Sequence, residues 1–385
     1  MYHGPMHYLD WAATAPPYRD ILEAAVGVAT ERYGNPSSRH GAGRDARALL
    51  ESARERLGAA IGAAPSSVVF TSGGSEADAI ALLSTLVGKG ERSVVISELE
   101  HPAVYEQARA LESLGVRVVR VRPERDGVVS PGRVAEALRP DTAVVAVMAV
   151  SNETGAIQPI GRIVEAVRSA AGPRRPFVHC DAVQALGTIG FDARALGVDG
   201  AAFSAHKLGG PRGVGALYLS RPISPLVLGG GQEGGMRPGT HNTAGAWAFA
   251  EAAARAAASV EARMERARAL ERRLFDGLRA IPGATPLPEG RLPGDERYSP
   301  YIACLSFPGL AGETMTRLLD EAGVAISTGS ACSSSKKERR SLDAMGVDRE
   351  LSFSSIRVSS GRDTSEADID AFLEAASSAY IRFRV

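Results

Sequence analysis

Lys207 stands in the run Phe203-Ser-Ala-His-Lys-Leu-Gly-Gly-Pro-Arg-Gly-Val-Gly215, just past a strand end and among small residues and hydrogen-bond donors. A lysine so placed can form a Schiff base. Its amine must shed a proton to attack an aldehyde, and a cationic, partly desolvated setting lowers its pKa. An ordinary loop lysine is a solvated surface charge; the neighbourhood sets this one apart. Upstream, Asp181 closes the run Phe177-Val-His-Cys-Asp181. A carboxylate buried at the C-terminal end of a strand needs a cationic partner, and a pyridinium nitrogen supplies one, which keeps the ring protonated as an electron sink. Taken alone, Asp181 reads equally well as the N-cap of the next helix. Thr71-Ser-Gly-Gly-Ser-Glu-Ala77 joins a strand to a helix, so backbone N–H groups near Gly74 and Ser75 would point at an anion on the helix dipole. A Gly-Gly turn before a helix is often a simple connection. A lysine, a strand-end aspartate and a phosphate cradle in one α/β domain together point to pyridoxal 5'-phosphate.

The chain has three cysteines. They are too few for a disulfide framework and their spacing matches no zinc motif, so no metal site is expected. Cys332 lies in Ser330-Ala-Cys-Ser-Ser-Ser-Lys-Lys337, a small, polar stretch without apolar periodicity that reads as a loop. Lys336, Lys337, Arg339 and Arg340 nearby would favour its thiolate, the nucleophilic form. Cys180 and Cys304 sit in apolar strand patterns and read as buried small hydrophobes.

The elements that must position these groups follow from hydrophobic patterning. Short β-rich runs at 67–71, 93–97, 116–121, 142–150, 176–181, 200–204 and 213–219 alternate with amphipathic stretches such as 76–87 and 104–114. That alternation predicts an α/β domain with a largely parallel sheet covered on both faces. The segment 244–280 is rich in Ala, Glu, Arg and Leu, lacks internal proline, and predicts one or two long helices leaving that domain. A Pro/Gly-rich break at 281–300 follows. Runs at 301–307, 313–322, 355–359 and 365–380 then predict a smaller α+β domain. Two lobes suit the length of 385 residues, because single cores stop growing at roughly 250 to 300 residues.

Lys plus Arg balances Asp plus Glu at 44 each, with no long block of one sign, so a nucleic-acid partner is not expected. No apolar run spans a bilayer and the first residues lack the pattern of a signal peptide, so a cytoplasmic location is expected.

The motifs resemble the aminotransferase class V group, and within it the cysteine desulfurases of the nitrogen-fixation and iron-sulfur-cluster type. The likeness runs almost the whole length, through Tyr8-Leu-Asp-Trp-Ala-Ala-Thr14, Tyr33-Gly-Asn-Pro-Ser-Ser-Arg-His40, Glu100-His-Pro-Ala-Val104, Ser151-Asn-Glu-Thr-Gly155, Asp181-Ala-Val-Gln184, the lysine segment, Gly229-Gly-Gly-Gln-Glu233, Arg237-Pro-Gly-Thr-His-Asn242, Ser327-Thr-Gly-Ser-Ala-Cys332 and Ile356-Arg-Val-Ser359. The resemblance implies the fold type I architecture of pyridoxal-phosphate transferases. Its large domain, with a seven-stranded-type sheet, would span 15–258 and its small one 259–385, with residues 1–14 packing on the latter. It implies that His101 stacks on the cofactor ring and shuttles protons, and that Gln184 bonds the phenolic oxygen. Asn152 would lie beside that oxygen and the substrate carboxylate. Ser204 and His206 would join Gly74 and Ser75 around the phosphate, and Thr240 would reach the phosphate of a neighbouring subunit, hence a homodimer with shared sites. Arg357 would clamp the substrate carboxylate, a task suited to a planar bidentate donor.

The activity so implied is conversion of L-cysteine to L-alanine with a persulfide left on Cys332, for transfer to an acceptor in iron-sulfur cluster assembly or tRNA thiolation. The distance from Cys332 to Arg357 resembles that of the long-loop general sulfur donors. A selenocysteine lyase, a donor dedicated to one pathway, and a silent scaffold homologue are the alternatives. Trp11, Ala15 and Ser151 depart from residues common in the family (Asn, Thr and Asn), which bears on the geometry of substrate entry.

Overall fold

The computed structural model describes residues 6–87, 90, 92–329 and 339–384. They form twelve strands: β1 (His7–Tyr8), β2 (Val68–Thr71), β3 (Ser93–Ser97), β4 (Arg117–Val121), β5 (Thr142–Ala146), β6 (Phe177–Asp181), β7 (Gly200–Ser204), β8 (Gly215–Leu219), β9 (Thr285–Leu287), β10 (Ile302–Ser306), β11 (Val324–Ala325) and β12 (Ser355–Ser359). Seven of them make one sheet in the order β2-β8-β7-β6-β5-β3-β4. It is parallel from β7 to β4, and β8 runs antiparallel to both of its neighbours.

Both faces of this sheet are covered, which is why its central strands are largely apolar and buried. All five residues of β3, β6, β7 and β8 are buried. Alternate side chains serve opposite faces. Val94 and Ile96 pack with Ala77, Leu82, Val104 and Leu111 of the helices Gly74–Leu83 and Pro102–Ser113. Val95 faces the other way, into a cluster with Leu57, Ile163 and Phe249 from the helices Gly41–Ala60, Ile160–Ala171 and Thr243–Ala257.

A separate cluster joins Leu9, Leu274, Leu305, Met315, Ile356 and Phe372. It is built on the antiparallel sheet β12-β10-β9, the β1–β11 pair and the helices Val260–Leu278, Gly312–Glu321 and Glu366–Phe383. The helical stretch expected over 244–280 is two helices, broken after Ala257. There the Ser259 hydroxyl donates to the Arg255 carbonyl at 3.1 Å, a side-chain bond that competes with helix propagation. The strand expected over 142–150 is regular only to Ala146. Val147 and Ala149 still donate to the His179 and Asp181 carbonyls, but the chain then bends so that Val150 bridges Ile157.

The N-terminal segment ties the two clusters together. His7 and Tyr8 pair with Val324 and Ala325, and Leu9 enters the smaller core. The chain then crosses to the lysine segment, where Ala15 N donates to the His206 carbonyl at 2.9 Å. Among the described residues, no helix is long and apolar enough to cross a membrane, and no cluster of three His, Cys, Asp or Glu side chains is arranged to hold a metal.

Candidate active site

The carboxyl ends of β3, β5, β6 and β7 open onto a cavity of about 930 Å³, where an open α/β sheet ordinarily binds its ligand. Gly74, Ser75, His101, Asn152, Asp181, Gln184, Ser204, His206, Lys207 and Arg357 all line it. Of the other two residues singled out from sequence, Thr240 is exposed in the loop before the helix Thr243–Ala257 and is not on this wall, and Cys332 lies outside the described residues.

Lys207 ends a helical turn that leaves β7. Its Nζ donates to the carbonyls of Ala12 and Ala13 at 2.5 and 2.9 Å, so the N-terminal segment meets the amine directly. Asp181, the last residue of β6, is 6% exposed. Its Oδ1 accepts from Val183 N at 2.9 Å. Burial raises its pKa, while the fields of His101 and Lys207 and the Val183 N–H pull it down. The capping role that the sequence left open is therefore met by a turn bond two residues on, and the carboxyl still faces the cavity.

The helix Gly74–Leu83 begins at Gly73 with no side-chain cap, leaving its first N–H groups to a ligand. A Cβ on Gly74 would lie 2.6 Å from Val183 Cγ2, so the helix start packs tightly against the Asp181 turn. Ser204 and His206 border the same end. Burial, then the charge of Lys207, brings the His206 pKa to about 4, so its ring is neutral there.

His101 caps the helix Pro102–Ser113, its Nδ1 accepting from Ala103 N at 3.1 Å. That bond leaves the proton of the neutral ring on Nε2. Burial lowers its pKa, Asp181 opposes this, and Lys207 adds to it. Three buried groups near this floor escaped the sequence reading. Glu100 accepts from Met148 N at 2.8 Å, and burial pushes it to about 8 despite its hydrogen bonds from Ser97 and Met148. Asp78 Oδ1 lies 2.8 Å from His179 Nε2. Burial, with Asp181 and Glu100 adding to it, raises Asp78, and burial lowers His179 to about 3, so both shifts favour the uncharged forms. Asp78 follows Gly74 by one helical turn, a spacing that would have placed both on one face.

Arg357 projects from the middle of β12, 3% exposed, and bonds the Asn152 carbonyl and Asp10. Arg340, on the cavity wall, donates to the carbonyls of Glu98 and Glu100 and stacks 3.9 Å from the Tyr105 ring centre. Arg339 bonds the carbonyls of Thr328 and Ser355. Cys180 and Cys304 are buried as expected, and burial pushes the Cys304 thiol up to about 12.

Residues 7–372 match the family model described as aminotransferase class-V. The chain belongs to that family. A relative named cysteine desulfurase IscS from Anaeromyxobacter dehalogenans (strain 2CP-C) is 40% identical over 378 residues, covering 94% of this chain and 89% of that protein. Another of that name from Dictyoglomus turgidum is 37% identical over 381 residues, covering 95% and 92%. Among solved structures, a NifS-like protein superposes with a TM-score of 0.89 at 34% identity, covering 97% of this chain and 98% of that one. A structure of SspA in complex with cysteine superposes at 0.77 with 28% identity, covering 91% and 98%.

The three departures from the family pattern each have a place in the packing or turns beside the site. Trp11 donates from Nε1 to the Tyr8 carbonyl at 3.0 Å, and Ala15 is buried. Ser151 Oγ accepts from Glu153 N and Thr154 N at 3.3 and 3.2 Å, shaping the turn that carries Asn152.

Proposed function

We propose that this protein is a pyridoxal 5'-phosphate-dependent cysteine desulfurase, converting L-cysteine to L-alanine and leaving the sulfur on Cys332 as a persulfide. The observation that carries the reading is the convergence of Lys207, Asp181, His101 and Arg357 on one cavity that also takes in the uncapped start of a helix. The desulfurase names of the relatives support it. The residues fit the cofactor. Lys207 would hold it covalently, Asp181 its ring nitrogen, and His101 its face. Gln184 would hold its phenolic oxygen, with Asn152 beside it, and Gly74, Ser75, Ser204 and His206 its phosphate. When bound, the cofactor supplies an electron sink for a carbanion at the Cα of an amino acid.

The chain's own groups do the rest. Arg357 binds the substrate α-carboxylate. Lys207 takes the Cα proton, and His101 offers an Nε2 proton from a ring fixed by Ala103. The Cys332 thiolate attacks the substrate sulfur, so that an S–S bond forms as the Cβ–S bond breaks, its electron pair staying on carbon and taking up a proton in the alanine methyl group. The acceptor of the persulfide is a scaffold or thiolation protein, and the location is cytoplasmic. Thr240 lies off its own cavity on a loop tied by Arg237 Nε to Glu76 Oε1 at 3.1 Å, which suits a homodimer in which it serves the partner's site.

The test compares the wild type with Lys207→Ala and Cys332→Ala. Lys207→Ala loses the visible absorbance of the lysine-bound cofactor and all alanine production. Cys332→Ala keeps the absorbance and loses alanine and sulfide release. Full activity in Cys332→Ala would refute the persulfide step.

A further inference from the structure

The guanidinium of Arg357 makes two short contacts and two long ones. Nη1 donates to the Asn152 carbonyl and Nη2 to Asp10 Oδ1, each at 2.8 Å. Nη1 lies 3.4 Å from the Gly329 carbonyl and Nη2 3.3 Å from Ser327 Oγ. Nε is buried and has no hydrogen-bond partner among the described residues. A guanidinium carries five donors, so this leaves one unused and two weakly used. An incoming carboxylate pairs with two donors at once. Nε–H together with one Nη2 hydrogen would answer that need, and Nη2 already holds Ser327 only at 3.3 Å.

Asp10 keeps its short contact under this arrangement because of where it sits. Arg357, Asn152 and Gly329 line the cavity and Asp10 does not. Asp10 bridges Ser359, two residues along β12 from Arg357, and Ser359 N donates to the Leu9 carbonyl at 2.8 Å. The backbone register therefore fixes the Asp10 carboxylate beside the guanidinium.

We infer that Asp10 is a positioning residue for substrate recognition: held behind Arg357, it turns the Nε edge of the guanidinium toward the α-carboxylate of the amino-acid substrate. The inference rests on the reading of Arg357 as the carboxylate clamp.

The test uses the cofactor-loaded protein in a Cys332→Ala background, so that binding is read without turnover from the change in visible absorbance. L-cysteine is compared with cysteamine, which has the same amine and thiol but no carboxylate. Asp10→Ala weakens L-cysteine by about tenfold or more, the equivalent of about 1.4 kcal/mol, and leaves cysteamine within about twofold. Asp10→Asn, which can accept the same bond, recovers most of the loss. Asp10→Ser, too short to reach Nη2, replaces the alanine variant if that one folds poorly. Unchanged L-cysteine binding in Asp10→Ala, or equal losses for both ligands, overturns the inference. Arg357→Ala separates the two levels. If it too keeps the preference for cysteine over cysteamine, the clamp reading has failed; if only Asp10→Ala keeps it, the positioning role alone has failed.

Discussion

Replacing Glu100 by Gln should stabilise the protein, and by an amount that depends on pH. The Glu100 side chain is wholly buried, Oε1 accepts from Ser97 Oγ and Met148 N, and Oε2 has no partner among the described residues. Burial outweighs the two hydrogen bonds and the Arg340 cation and raises the pKa from 4.5 to about 8. In the folded protein at neutral pH the group is the neutral acid; in the unfolded chain it is ionised. Unfolding therefore releases a proton between about pH 4.5 and 8, and stability falls across that window as pH rises. At about 1.36 kcal/mol per pH unit the loss reaches about 3 kcal/mol at pH 7. Gln has the shape of the neutral acid, its oxygen can accept both existing bonds, and it has no proton to lose. Glu100→Gln should match the wild type near pH 4.5 and exceed it by about 3 kcal/mol at pH 7. The assay is urea unfolding of the cofactor-loaded protein followed by Trp11 and Trp247 fluorescence at several pH values. A difference that stays flat between pH 5 and 8, or a variant less stable at pH 7, refutes the reasoning.

Two other sites give predictions of known sign. Gly74→Ala places a methyl 2.6 Å from Val183 Cγ2, an overpacking that costs about 1–3 kcal/mol and displaces the first N–H groups of the helix. Its affinity for the cofactor, measured by absorbance titration, should fall, and Val183→Ala in the same chain should restore it. Arg54 grips Glu233 with two bonds of 2.7 and 2.9 Å, and Glu233 is the one non-glycine with positive φ (49°) among the described residues. Burial would raise Glu233, but the bonds from Arg54 and His241 hold it down to about 2. Arg54→Met should cost about 3–5 kcal/mol in urea unfolding at pH 7, because a buried carboxylate loses its main partner. The deficit should shrink as pH falls from 4.5 toward 2, where the wild type protonates Glu233 and loses the same contribution.

What could be read in the sequence was whatever is local. Strands β3, β7 and β12 fall on their expected residues because each is buried and carries a short apolar run, Val94–Ile96, Ala201–Phe203 and Ile356 with Val358. Lys207, Asp181 and Gly74 were legible for a related reason: each sits where a strand pattern stops. The helices Arg19–Glu31, Gly41–Ala60 and Ile160–Ala171 were not assigned. In the second of these the buried stripe is Ala46, Leu50, Ala53, Arg54 and Leu57, in which alanines and an arginine blunt the contrast on which periodicity depends. Asp78 and His179 were hidden because a buried polar pair looks, in sequence, like two polar residues in apolar elements.

Contacts of long sequence separation were beyond that reach, and the N-terminal segment holds most of those that matter. Asp10 meets Arg357, the Ala12 carbonyl accepts from both Lys207 Nζ and Gln184 Nε2, and Thr14 Oγ1 lies 3.2 Å from His206 Nδ1. One short stretch thus touches the proposed carboxylate clamp, the proposed cofactor lysine and a residue of the proposed phosphate end. Two of the three family departures are on it. Trp11 packs so closely on Gly361 that a Cβ there would come within 2.0 Å of the indole. Neither Trp11 nor Ala15 lines the cavity, whereas Ala12 and Ala13 between them do. Trp11 and Ala15 sit in the segment whose Asp10 side chain and Ala12 carbonyl contact Arg357 and Lys207, so their bearing on the site is through how that segment is seated. If Arg357 holds the substrate carboxylate and Lys207 works at Cα, as proposed, the substrate is sensitive to the distance between them, since a shift of about 1 Å can cost about a hundredfold in rate. On the reading proposed above, the departures would bear on catalysis through the spacing of Arg357 and Lys207 rather than by lining the cavity.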